Sequence, residues 1–111
     1  MVNAKVTQLK VSESILKIGD EFTYETTILL LDNTAHQIRV EYIIYFIKST
    51  GKQTPKVFQI GTYTVNPEQQ LRLKRTHKFA DLTTRKHYAG EHILAIVVNG
   101  KELARQTFML Q

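Results

Sequence analysis

Hydrophobic and polar residues alternate along most of this chain, the period of a strand with one buried face. Phe22, Tyr24, Thr26, Ile28 and Leu30 alternate with Glu21, Thr23, Glu25 and Thr27. Ile38, Val40, Tyr42, Ile44 and Phe46 repeat the pattern, but Ile43, Tyr45 and Ile47 share the other face with Arg39 and Glu41. A strand apolar on both faces is expected at the centre of a sheet, covered on both sides. The alternation predicts seven strands, at 5–11, 21–31, 38–48, 55–60, 70–77, 91–98 and 101–110. Their enrichment in β-branched and aromatic residues agrees.

The breaks between these runs carry turn chemistry. Gly19-Asp20 precedes the second run, Ser49-Thr50-Gly51 follows the third and Asn66-Pro67 precedes the fifth. Asn99-Gly100 between two apolar runs signals a hairpin, because both residues tolerate the positive φ of a type I′ turn. Seven antiparallel strands in this length predict an all-β, immunoglobulin-like β-sandwich without a disulfide. Tyr88, just before the sixth strand, falls where a tyrosine corner belongs. A small open barrel is the competing architecture, but it requires fewer and longer strands.

The length of 111 residues fits one domain over 1–111 with a self-sufficient core. It is too short for a TIM barrel or a two-half dinucleotide-binding fold. With no cysteine, disulfides, thiol catalysis and cysteine-ligated metal centres are excluded. Redox compartment stays open on that ground. The start has no signal-peptide pattern, and the apolar runs at 28–31 and 93–98 are far too short to span a bilayer. A soluble, cytoplasmic chain without a membrane partner is expected. A fragment of a longer protein fits the pattern as well as a complete one.

Charge changes the picture. Residues 37–90 hold ten Lys and Arg against Glu41, Glu68 and Asp81, although the whole chain carries a net charge of only +5. In the sandwich topology the loop after the third strand holds Lys48, Lys52 and Lys56. The loop after the fifth holds Lys78, Arg85 and Lys86, with Thr83, Thr84 and His87. Both loops emerge at one pole, which Lys17 joins. Asp32, Asn33, Glu68 and the Asn99-Gly100 turn fall at the other. A basic pole suits a polyanion, with nucleic acid the first candidate. Solvation of strand faces and protection of sheet edges explain basic residues equally well.

Catalytic chemistry is missing. His36, His77, His87 and His92 have neither helical i,i+4 spacing nor a cysteine beside them, so no metal or cofactor is expected. His92 is placed at the rim of the core, on the side of Leu94 and Ile96. Asp20/Glu21 and Asp32 lie at opposite ends of one strand and cannot pair as acid and base. The five glycines are scattered and form no phosphate loop or nucleophile elbow. The isolated chain reads as no enzyme.

Two stretches resemble a known family. Residues 45–58, with Lys48, Gly51-Lys52 and Pro55-Lys56-Val57-Phe58, are similar to one. Residues 78–92, with Thr84-Arg85, Tyr88, Gly90 and His92, are similar to a second, closed by Val98-Asn99-Gly100-Lys101. Both resemble the immunoglobulin-like domain that follows the helical-repeat domain in AlkC-type bacterial DNA alkylation repair proteins, over about 20–110. In that family, base excision belongs to the HEAT-like repeat domain, so no catalytic residue carries over. The resemblance implies an accessory domain that helps enclose duplex DNA on its minor-groove side. The matching DNA-contact positions are Lys48, Lys52, Lys56, Thr84, Arg85, Lys86 and Tyr88. The implied partners are duplex DNA, bound weakly and without sequence preference, and a HEAT-like repeat domain in cis or in trans. Gln59 replaces a basic residue of the pattern and His87 an aromatic one; both departures work against DNA contact. The rival reading is a protein-interaction or structural immunoglobulin-like domain that pairs through a sheet edge.

Overall fold

The computed structural model describes residues 2–17, 19–78 and 88–111. Eight strands run in the order β1 (Ala4–Val11), β2 (Ile15–Leu16), β3 (Glu21–Leu30), β4 (His36–Ile47), β5 (Gln53–Val65), β6 (Gln70–Lys78), β7 (Gly90–Val98) and β8 (Lys101–Leu110). They form a three-stranded sheet, β1-β3-β6, and a five-stranded sheet, β2-β8-β7-β4-β5. The immunoglobulin-like sandwich is therefore as expected, with eight strands instead of seven.

The extra strand is β2. Its two residues pair in parallel with the end of β8, Ile15 with Met109 and Leu16 with Leu110. The opening segment thus begins in the small sheet and crosses to the large one. Two residues are too few to show a period, so alternation missed them. β5 is also longer than the expected 55–60. Opposite Val40 and Glu41 the partners are Gly61 and Gln59, so Ile60 is an extra bulged residue. The bulge breaks the alternation and the strand continues to Val65.

Inward-facing residues of both sheets make one core. Phe22, Tyr24, Ile28 and Leu30 of β3 meet Ile38, Val40, Ile44 and Phe46 of β4, with Leu94, Ile96 and Phe108. Phe22 packs against Phe108 at 5.0 Å between ring centroids. His92 is fully buried, not at the rim. It pairs with Phe108 across β7–β8 and meets Phe46 edge-on at 5.9 Å. Gly90 O lies 3.1 Å from its Nδ1.

The Asn99-Gly100 hairpin forms as expected, with φ of 49° and 83°. Asn99 Oδ1 also accepts the Arg39 amide at 2.8 Å, tying the turn to β4.

Candidate nucleic-acid interface

The β4–β5 turn is closed by Gly51 N donating to Lys48 O at 2.9 Å and Lys48 N donating to Lys52 O at 2.8 Å. Gly51 takes φ 85°, a left-handed conformation that glycine adopts at no steric cost. Lys48 and Lys52 are exposed on this turn. Lys17 belongs to the connection that enters β3, where its amide donates to Asp20 Oδ2 at 3.0 Å. Lys78 ends β6 in register with Glu21. The antiparallel registers bring all four lysines to one end of the sandwich.

Lys56 is placed differently. It lies inside β5, opposite the buried Ile44, and not in a loop. Its Nζ stands 5.6 Å from the Phe58 ring centroid. Tyr88 is half-buried at the entry to β7. Thr84, Arg85 and Lys86 lie outside the described residues, as do Thr83 and His87.

The same end also holds Glu13, Asp20, Glu21 and Glu91. Its four described lysines are therefore matched by four carboxylates, which the reading of loop composition overlooked. At the other end Asp32 binds His36 at 3.2 Å and Arg39 binds Glu41 at 3.2 Å. An open cleft of about 490 Å³ there is lined by Val2, Ala4, His36, Val98, Lys101 and Leu103 among others. Among the described residues, no three His, Asp or Glu side chains gather as a metal site.

The outer face of the three-stranded sheet carries the larger basic excess. Antiparallel registers put Lys10, Glu25 and Lys74 in one row across β1, β3 and β6. Gln8, Thr27 and Arg72 form the next row, and Lys5, Leu29 and Gln70 another. Five basic residues, Lys5, Lys10, Arg72, Lys74 and Lys78, share this face with Glu21 and Glu25. Arg72, Lys74, Thr76 and Lys78 recur in β6 with period two, a signal that becomes a face only when β6 is aligned with β3.

The outer face of the five-stranded sheet is apolar near β4 and β5. Ile43, Tyr45 and Ile47 are half-buried there, beside the exposed Pro55 and Val57. Glu102 accepts from the Tyr45 hydroxyl at 3.1 Å and binds Arg105 at 2.7 Å. The Arg105 guanidinium lies 5.4 Å from the Tyr45 ring centroid. Burial and then the Glu102 hydrogen bond raise the Tyr45 phenol above its ordinary value.

Comparison with known proteins matches residues 5–111 to the family described as uncharacterised protein YhaZ, C-terminal Ig-like domain. The chain belongs to this family. A YhaZ-family relative, the uncharacterized protein YhaZ of Bacillus subtilis (strain 168), is 40% identical over 65 residues, which is 59% of this chain and 18% of the relative. The YhaZ-family fold here is similar to part of Pseudomonas fluorescens alkylpurine DNA glycosylase AlkC bound to DNA containing an abasic site analog. The TM-score is 0.94 with 30% identity, covering 97% of this chain and 30% of that one. This chain thus spans less than a third of the length of either relative. A D270A β-glucosidase of Listeria innocua shares the fold at TM-score 0.74 and 10% identity, over 99% of this chain and 16% of the enzyme.

Proposed function

We propose that this YhaZ-family chain is a non-catalytic accessory DNA-binding module of alkylation repair. Its basic loop pole contacts the phosphate backbone and the minor-groove side of a duplex. The observation that carries the reading is the likeness to AlkC, a glycosylase seen with DNA, over nearly the whole of this chain. Lys48 and Lys52 on the β4–β5 turn supply exposed cations, and Arg85 and Lys86 follow in the β6–β7 connection. Such contacts neutralise phosphates without reading bases, so affinity is weak, with Kd on the order of 10⁻⁴ to 10⁻⁶ M. Joining to a repair domain, a HEAT-like repeat in cis or in trans, raises the effective concentration enough to make weak binding useful. A cytoplasmic location goes with this role.

Fluorescence anisotropy with a labelled duplex over a salt series tests the proposal. Wild type is expected to lose affinity linearly in log salt, with a slope near ~0.9 per phosphate contact. Arg85→Ala/Lys86→Ala is expected to flatten that slope. Absence of binding at low salt sinks the DNA reading.

A second reading draws on the apolar outer face around Ile43, Tyr45, Ile47 and Val57. An apolar sheet face of this kind suits a protein partner, and then the domain is a docking module with no nucleic-acid contact. Salt-independent behaviour together with no DNA binding selects it.

A further inference from the structure

β6 places Arg72, Lys74, Thr76 and Lys78 at alternate positions, each in register with an outward residue of β3: Thr27, Glu25, Thr23 and Glu21. Across β3 lie Gln8 and Lys10 of β1, opposite Thr27 and Glu25. The face is therefore a central row of alternating glutamate and threonine, with Thr27 buried, between two basic edges. It is about 20 Å long from Arg72 to Lys78 and about 10 Å wide. Thr23 and Thr76 share a hydroxyl–hydroxyl bond of 3.0 Å on it. Two shallow grooves run over it, each about 320 Å³. Gln8, Thr27 and Arg72 line one and Lys10, Ser12 and Thr23 the other, with Glu25 and Lys74 common to both.

We infer that this face is a second phosphate-contact surface, joined to the basic pole through Lys78, and that Glu25 is the counter-charge that limits its affinity. The inference rests on the DNA-binding reading and deepens it by locating the contact. Edge protection alone does not account for the arrangement. β5 is also a sheet edge, and its outward positions are Gln53, Pro55, Val57 and Gln59, with no cation among them. On the five-stranded sheet Arg39 and Arg105 are each held by a glutamate and Lys56 lies on the core side of β5, so the outward basic excess concentrates on the small sheet. Lys and Arg beside threonine hydroxyls and glutamine amides are the groups that meet phosphate oxygens. A length of 20 Å spans about six base pairs of duplex backbone.

Glu25 is the sharp element. Its Oε1 lies 3.8 Å from Lys74 Nζ, and both side chains are more than half exposed. A surface pair of this kind contributes little to stability. A backbone phosphate arriving at Lys74 meets the carboxylate as a like charge. Removing that charge should strengthen polyanion binding, an effect solvated surface lysines far from DNA do not produce.

The test uses the whole 111-residue chain and a labelled duplex of mixed sequence, with anisotropy read over a salt series. Arg72→Gln/Lys74→Gln is expected to lower the log–log slope by about 1.8, two contacts' worth. Glu25→Gln is expected to tighten binding about threefold at low salt, and less as salt screens the charge. Lys48→Gln/Lys52→Gln reports the pole separately. If wild type binds and the pole variant weakens, while neither the β6 double variant nor Glu25→Gln changes affinity, this surface is overturned and DNA binding by the pole stands. If wild type fails to bind at low salt, both are overturned. Glu25→Gln keeps the test decisive should the double variant fold poorly, since a gain cannot come from unfolding.

Discussion

Tyr24 combines two properties that oppose each other. Its ring is fully buried between Phe22 and Tyr42, at 6.2 and 5.3 Å between centroids. Its hydroxyl is buried too, with no hydrogen-bond partner among the described residues. A buried hydroxyl left unpaired costs about 1–3 kcal/mol. Tyr24→Phe keeps the ring and removes that cost, so urea unfolding at pH 7 should show a gain of about 1 kcal/mol. Burial, with Tyr42 adding to it and Arg75 opposing, pushes the Tyr24 phenol far above its ordinary value near 10. Burial raises Tyr42 as well, again against Arg75. The folded chain therefore keeps protons that the unfolded chain releases above pH 10. Stability from these phenols is complete below about pH 10 and falls as pH rises beyond it. Thermal melts from pH 8 to 11 should show that fall, and Tyr24→Phe should make it shallower. His92 teaches a related lesson. Its side of the strand is legible from Leu94 and Ile96, but its depth is not, because Phe46 comes from a strand remote in sequence and Phe108 lies opposite only in the bulged register of the β7–β8 hairpin.

At the scale of elements, legibility followed the length of the pattern. β3 and β4 carry alternation over ten and twelve residues, and their faces could be read without coordinates. β2 has two residues and its partner is ninety-odd positions away, so only the fold reveals it. β5 was cut short because the bulge at Ile60 and the glycine after it mimic a strand end. The same strand explains Lys56. Opposite Ile44, it shares the core side of an edge strand, and an inward charge there resists pairing with another chain. Lys56→Val should therefore promote self-association that grows with concentration, measured by light scattering. A variant that stays as monodisperse as wild type refutes this role. The candidate site was less legible than the fold. Loop composition located Lys48 and Lys52, but the opposing carboxylates at that end come from three separate segments. The basic face of the small sheet arises only when β1 and β6 are aligned on either side of β3.

Over the whole molecule the two outer faces diverge. One carries basic edges around a row of glutamate and threonine; the other is apolar around Ile43 and Val57. β4 was expected to be covered on both sides, and the sandwich covers one. The segment that crosses between the sheets has a mechanical consequence. Asn3 binds Leu31 at one end of the 46 Å long axis, whereas Gln111 N donates to Leu16 O at the other. A pull on the two ends of the chain therefore loads β2 against β8 along their length. Parallel strands drawn that way slide, so Met109 N to Ser14 O and Gln111 N to Leu16 O must break together instead of opening one after the other. Force spectroscopy on the chain held at residues 2 and 111 should show a single rupture, and Leu16→Pro, which removes none of the β8 donors but distorts β2, should lower the rupture force. The smallest strand would then be the clasp that holds the two sheets shut under tension.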